Sequence, residues 1–190
     1  LQDVAAITRR AHEVGALVVL DIYQSAGCVP VDLTGWNVDI AVGGSVKWLC
    51  GGPGNGYLYV RPDLAERLHP ANTGWQAHAR PFRFEPGRID WGAPEWRFLN
   101  GTPNIPALYA AQAGYRIIRE IGVRRIRENS LRLTGLVLDE ARAAGLPTTC
   151  PKDPAHRGGT VALNVPDAEA VCQELLRREF IVDFRPNAGI

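Results

Sequence analysis

The sequence predicts an α/β fold that closes with a small α+β unit. Three observations carry this. A helical pattern over residues 3–14 runs directly into a short apolar segment, ALVVLD, at 16–21. A second short apolar segment, VDIAVG, follows at 38–43. Helical and strand-like patterns then alternate to the end of the chain.

Each element has its own signal. In residues 3–14, Val4, Ala5, Ile7, Ala11 and Val14 recur on one side of a helix. Gly15 stands where a helix-ending glycine belongs. The run 16–21 is apolar on both faces, which predicts a buried parallel strand ending on Asp21. A connecting loop passes from Pro30 through Trp36 to the second strand, 38–43. A glycine-rich loop, GGSVKWLCGGPGNG, links Gly43 to Gly56. The segment GYLYV, 56–60, predicts a third strand, and Pro62 opens a short helix to about Leu68. Residues 70–104 show no sustained period; a loop of that length is usually functional or at an interface. A helix is expected from about Pro106 to Ile121, with Gly122 as its break. A second, 123–144, carries Val123, Ile126, Leu133, Leu136 and Val137 as its apolar stripe. The last part reads as strand 158–165, helix 167–178 and strand 180–185. A boundary near Gly122 divides the chain into residues 1–122 and 123–190.

Composition removes several function classes. The net charge of +1 excludes a polyanion binder that works by bulk charge. A hydrophobic content of 46% with 22% charged residues excludes wholesale disorder. No apolar run approaches a membrane span of ~18 residues, and the N-terminus does not read as a signal peptide. The chain begins at Leu1 and has no Met, which predicts a piece of a longer chain. Cys28, Cys50, Cys150 and Cys172 form no C-x-x-C pair, so free thiols of a cytoplasmic protein are expected. The four His have no metal-ligand spacing. Of 21 basic residues only Lys47 and Lys152 are Lys. In a chain that so favours Arg, each Lys asks for a reason.

In open α/β sheets, ligands bind beyond the carboxyl ends of the strands. Asp21 sits at the end of one strand, with Gln24 three residues on. Ser45-Val46-Lys47 follows the next strand. A carboxylate and an amine thus reach the same sheet edge. They could form a buried ion pair. Alternatively both address one cofactor: a lysine desolvated in an apolar pocket can lose its proton and form a Schiff base, which Arg cannot do. A carboxylate facing a pyridine nitrogen would keep that nitrogen protonated and make the ring a better electron sink.

DIYQSAG (21–27), GGSVKWLCGGPGNGYLYV (43–60), TGWQAH (73–78) and NGTPNIPALYAA (100–111) resemble the class V aminotransferase superfamily, the fold-type-I pyridoxal phosphate enzymes, and its kynureninase branch. The resemblance implies that residues 1–122 are part of the cofactor-binding large domain. Residues 123–190 would be part of the small C-terminal domain with its connecting helix. It implies pyridoxal 5'-phosphate as cofactor, held as a Schiff base on Lys47, which also moves protons on the substrate. Asp21 would pair with the ring nitrogen and Gln24 approach the phenolic oxygen. Ser45 would contact the phosphate, and Thr102 would reach the phosphate of the neighbouring subunit in a homodimer. Trp75 and His78 match the G-W-x-x-H of kynureninases near the site. Val46 stands where kynureninases carry a phosphate-binding Tyr, and Gln24 where they carry His. The residues themselves leave simpler roles open: Ser45 satisfying turn backbone, Thr102 capping a helix, Trp75 packing.

The leading expectation is an enzyme acting on an α-amino acid, as a kynureninase-like hydrolase or lyase or as a transaminase. The alternative is a catalytically silent fragment or dimerising module. Cys50 lies too close to Lys47 to suit a desulfurase's mobile persulfide loop. A nucleotide-binding domain is disfavoured, since no G-x-G-x-x-G or Walker loop follows a strand. Arg124, Arg125, Arg127 and Arg132 are expected on solvated helix faces.

Overall fold

A computed structural model describes residues 1–190. It contains α1 (Val4–Glu13), β1 (Val19–Asp21), β2 (Ile40–Gly44), β3 (Gly56–Val60), α2 (Pro62–Arg67), α3 (Ile105–Ile121), α4 (Val123–Ala143) and α5 (Ala168–Arg177). Two compact units result. One holds residues 3–26 and 31–118; the other holds 1–2, 27–30 and 119–190.

The first unit is built on a three-stranded sheet of order β1-β2-β3. β1 and β2 are parallel, with Asp21 beside Val42. β3 returns antiparallel, with Tyr57 beside Gly43. α1 starts on an Asp3 cap whose Oδ1 accepts the Ala6 N–H at 2.9 Å. It ends before Gly15, whose φ of 74° is open to glycine without strain. Ile22, Val38 and Ala41 form the core, with Val4, Leu20, Trp36 and Tyr57 packed around it. β1 is shorter than the predicted run and is not buried on both faces: Val19 is 62% exposed. Its apolar residues, which suit a strand covered on both faces, meet solvent here.

One buried charge organises this unit. Asp39, fully buried, enters β2 and accepts hydrogen bonds on Oδ2 from the Val18 N–H at 2.7 Å and from His12 Nε2 at 2.8 Å. Arg61 Nη1 stands 2.8 Å from Oδ1, off the hydrogen-bond direction. Burial, the largest influence, pushes the Asp39 carboxyl up. The His12 and Val18 hydrogen bonds and the His12 and Arg61 charges together outweigh it and hold the carboxyl below its ordinary value.

In the second unit the helices fall where the sequence places them, but the two strands do not form. Residues 158–165 and 180–185 contribute only isolated bridges, Thr148 with Leu163 and Arg185 with Gly189. Leu163 exchanges both backbone hydrogen bonds with Ile190, at 2.8 and 3.1 Å, and the pairing goes no further. Phe180 and Ile181 are exposed. β-favouring side chains without a partner strand make no sheet. The stripe predicted on α4 is also displaced. Leu133, Leu136 and Val137 are exposed, while Thr134, Leu138 and Ala141 are buried. Arg127 is not free on a solvated face. Its guanidinium donates to the carbonyls of Pro154, Arg157 and Gly158, tying that turn to α4.

Candidate functional site

The parallel pairing of β1 and β2 brings two chemically complementary groups to one end of the sheet. Asp21 is the last residue of β1. Lys47 lies three residues beyond the end of β2. Both are exposed. Asp21 Oδ1 accepts the Tyr23 N–H at 2.7 Å, and no ion pair joins it to Lys47. The simple reading of a buried Asp21–Lys47 pair is therefore not what the chain adopts. Val46 and Trp48 on either side of Lys47 are exposed with it.

The loop that presents Lys47 is tightly held. The Ser45 N–H donates to Asn55 O at 3.0 Å, the Gly51 N–H to Ser45 O at 2.7 Å and the Cys50 N–H to Lys47 O at 3.0 Å. Cys50 takes a left-handed conformation, φ 52°, which costs a non-glycine residue about 1–2 kcal/mol. α3 packs so closely beneath that a Cβ on Gly114 would stand 2.3 Å from Cys50 O. Only glycine allows that approach.

The Ser45 side chain, expected at a phosphate, is fully buried, and its hydroxyl is hydrogen-bonded to the Tyr115 hydroxyl of α3. This hydrogen bond fastens the loop to α3.

The other sequence candidates are spread along the first unit. Gln24 is exposed in the turn after β1. Thr102 is exposed and does not cap α3; Asn104 does, its Oδ1 accepting the Ala107 N–H at 3.3 Å. Trp75 is half-buried in an aromatic cluster, 5.4 Å from the Phe82 ring and 5.5 Å from the Phe84 ring, centre to centre. His78 bridges to Trp91, and its Nδ1 accepts the Arg80 N–H at 2.9 Å.

Three residues escaped sequence reasoning: Tyr115, Asn104 and Tyr57. Asn104 sits against the glycine loop, its Nδ2 2.8 Å from where a Cβ on Gly54 would be. Tyr57 lies across Gly43, and its buried hydroxyl has no hydrogen-bond partner. Burial, then the nearby Tyr115, Asp21 and Tyr23, raises the Tyr57 phenol above its ordinary value. The available signal was the register: a tyrosine opposite a glycine covers it.

Comparison with known proteins gives a consistent picture. The family model described as aminotransferase class-V matches residues 1–181. Kynureninase of Pseudomonas fluorescens is 36% identical over 190 residues, covering 97% of this chain and 45% of that protein. Kynureninase of Deinococcus radiodurans is 36% identical over 189 residues, covering 96% of this chain and 46% of that protein. An apo cysteine desulfurase from Thermococcus onnurineus superposes with a TM-score of 0.82 at 27% identity, over 94% of this chain and 44% of that one. The ureidoglycine-glyoxylate aminotransferase of Bacillus subtilis, at 21% identity, shares the fold with a TM-score of 0.73, over all of this chain and 49% of that one. The chain thus spans less than half the length of these relatives.

Proposed function

Because the chain belongs to the class V aminotransferase family, whose fold is that of the fold-type-I enzymes and whose cofactor is pyridoxal 5'-phosphate, we propose that Lys47 is the residue that carries this cofactor. We further propose that the whole protein acts on an α-amino acid as a kynureninase-like hydrolase. The observation that supports this most is the delivery of an unpaired carboxylate and an unpaired amine by adjacent parallel strands to one sheet end. This donor set fits the cofactor. An amine free of any acid partner is available to an aldehyde, and a free carboxylate to a ring nitrogen.

When bound, pyridoxal phosphate supplies an aldehyde for the amine and a ring that accepts electrons from the breaking bond. The chain's own residues then have distinct tasks. Lys47 Nζ holds the cofactor and afterwards moves a proton to or from the substrate. The Asp21 carboxylate keeps the ring nitrogen protonated. Gln24, exposed in the turn after β1, would offer a hydrogen bond to the phenolic oxygen. Trp75 adds an apolar wall. Thr102, exposed and not engaged as a cap, is free for a phosphate of a neighbouring subunit in a homodimer. Residues 1–122 serve as the cofactor-binding part and 123–190 as the small-domain part.

Titration of the chain with pyridoxal phosphate, followed by visible absorption, tests this reading. Saturable absorption that weakens in Asp21→Asn supports it. Absorption that the variant leaves unchanged counts against Asp21. Transamination remains a second reading, favoured by the fold shared with an aminotransferase, and keto-acid release by the whole protein would select it.

A further inference from the structure

Arg157 is only 5% exposed, yet no carboxylate pairs with it. Its Nε donates to Thr134 Oγ1 at 3.1 Å. The Thr134 hydroxyl donates its own hydrogen bond to Ser130 O at 2.8 Å, so it is occupied as a donor. A guanidinium stays charged at any ordinary pH, and a desolvated charge without a counter-ion is costly. Arg157 forms part of the wall of a cavity of ≈490 Å³ that lies wholly within the second unit. Its Nη2 is 4.0 Å from where a Cβ on Gly135 would stand, and Gly135 lines the same cavity.

The charge of the cavity is one-sided. Lys152 and Arg142 join Arg157 in its wall. Asp139 is the only carboxylate there, and Arg142 holds it at 2.8 Å. Arg157 and Lys152 are left uncompensated. The rest of the wall is largely apolar, with Leu138 and Leu146 on the α4 side. Lys152 is also the second of the two lysines, the one to which the cofactor site gives no role.

We propose that this cavity binds a small organic monocarboxylate with an apolar body, its carboxylate on Arg157 and Lys152 and its body against Leu138 and Leu146. The volume falls in the range of pockets that take ring-sized ligands. A fork-shaped guanidinium matches a carboxylate in two parallel hydrogen bonds, and an apolar wall selects such a ligand over a bare inorganic anion. The site is separate from the residues assigned to pyridoxal phosphate and does not depend on that assignment.

Cys150 provides the readout. Its half-buried thiol lines the cavity and accepts the Ala162 N–H at 3.2 Å. Cys50, exposed in the first unit, serves as the internal control. The full chain is alkylated with iodoacetamide at constant ionic strength, with benzoate, benzyl alcohol or inorganic phosphate present, and each cysteine peptide is quantified by mass. Benzoate should slow alkylation of Cys150 and leave Cys50 unchanged; benzyl alcohol and phosphate should do neither. Lys152→Ala, a surface change that spares the fold, should raise the benzoate concentration for half protection about tenfold. Equal Cys150 rates with and without benzoate would overturn the proposal. So would equal protection by benzyl alcohol, which would mark an apolar cavity alone, or by phosphate, which would mark an anion site without the apolar component. Unaltered protection in Lys152→Ala would overturn the charge assignment.

Discussion

The buried hydroxyl of Ser45 is hydrogen-bonded to the hydroxyl of Tyr115, 70 residues further along the chain. This contact anchors the loop that presents Lys47 to the helix beneath it. Tyr115→Phe strands the Ser45 hydroxyl in a buried site and should cost about 1–3 kcal/mol of unfolding free energy. Ser45→Ala combined with Tyr115→Phe should cost less than the sum of the single changes, as read from urea denaturation in a double-mutant cycle. Additive costs would deny the coupling.

Gly114 supplies the close approach of α3 to the same loop. A methyl group there meets Cys50 O at 2.3 Å, against rigid backbone. Gly114→Ala should therefore destabilise the chain by about 1–3 kcal/mol despite the better helix propensity of alanine. Hydrogen exchange should rise first at the Gly51 and Cys50 amides, which close the loop. A stabilised Gly114→Ala would show that the packing is looser than described.

Asp39 sets the acid limb of stability. Its folded-state pKa lies below the ordinary aspartate value. The unfolded state therefore takes up a proton first as pH falls. The Asp39 contribution is present above the ordinary value of about 3.9 and is lost as pH drops from there through the folded value. Asp39→Asn should flatten that part of the pH–stability curve. Asp39→Ala, which leaves the Val18 N–H and His12 without their buried acceptor, should cost about 1–3 kcal/mol near neutrality.

Tyr57 sets an alkaline counterpart. Its folded-state pKa is raised, so its contribution is full below the ordinary value of about 10 and is lost as pH climbs through the folded value. The buried hydroxyl has no partner. Tyr57→Phe should thus leave stability at pH 7 unchanged or about 1 kcal/mol higher, and should reduce the loss above pH 10. A large loss at pH 7 would mean that the hydroxyl is engaged.

How far these features were legible differs by kind. α1, β2, β3 and α3 follow from local signals: a periodic stripe, apolar runs, a helix-ending glycine. So does the convergence of Asp21 and Lys47, since strand ends and parallel pairing fix it. The failures lie where partners decide. The strands expected at 158–165 and 180–185 have β-favouring residues but find only the isolated bridges Thr148–Leu163 and Arg185–Gly189 and the backbone hydrogen bonds between Leu163 and Ile190. The stripe on α4 was misplaced because Thr134 is buried by its bond to Arg157, a contact across 23 residues. The bond of Ser45 to Tyr115 left no sequence signal, because Tyr115 belongs to a helix whose register against the loop is set by Gly114. The buried Asp39 and its three partners left no local trace at all.

Under the proposed function Lys47, and not Lys152, takes the cofactor. Borohydride reduction of the chain with pyridoxal phosphate fixes the linkage, and peptide mass locates it. The expected result is label on Lys47, absent in Lys47→Ala and unaffected by Lys152→Ala. Equal label on both lysines, or none on Lys47, would contradict the assignment.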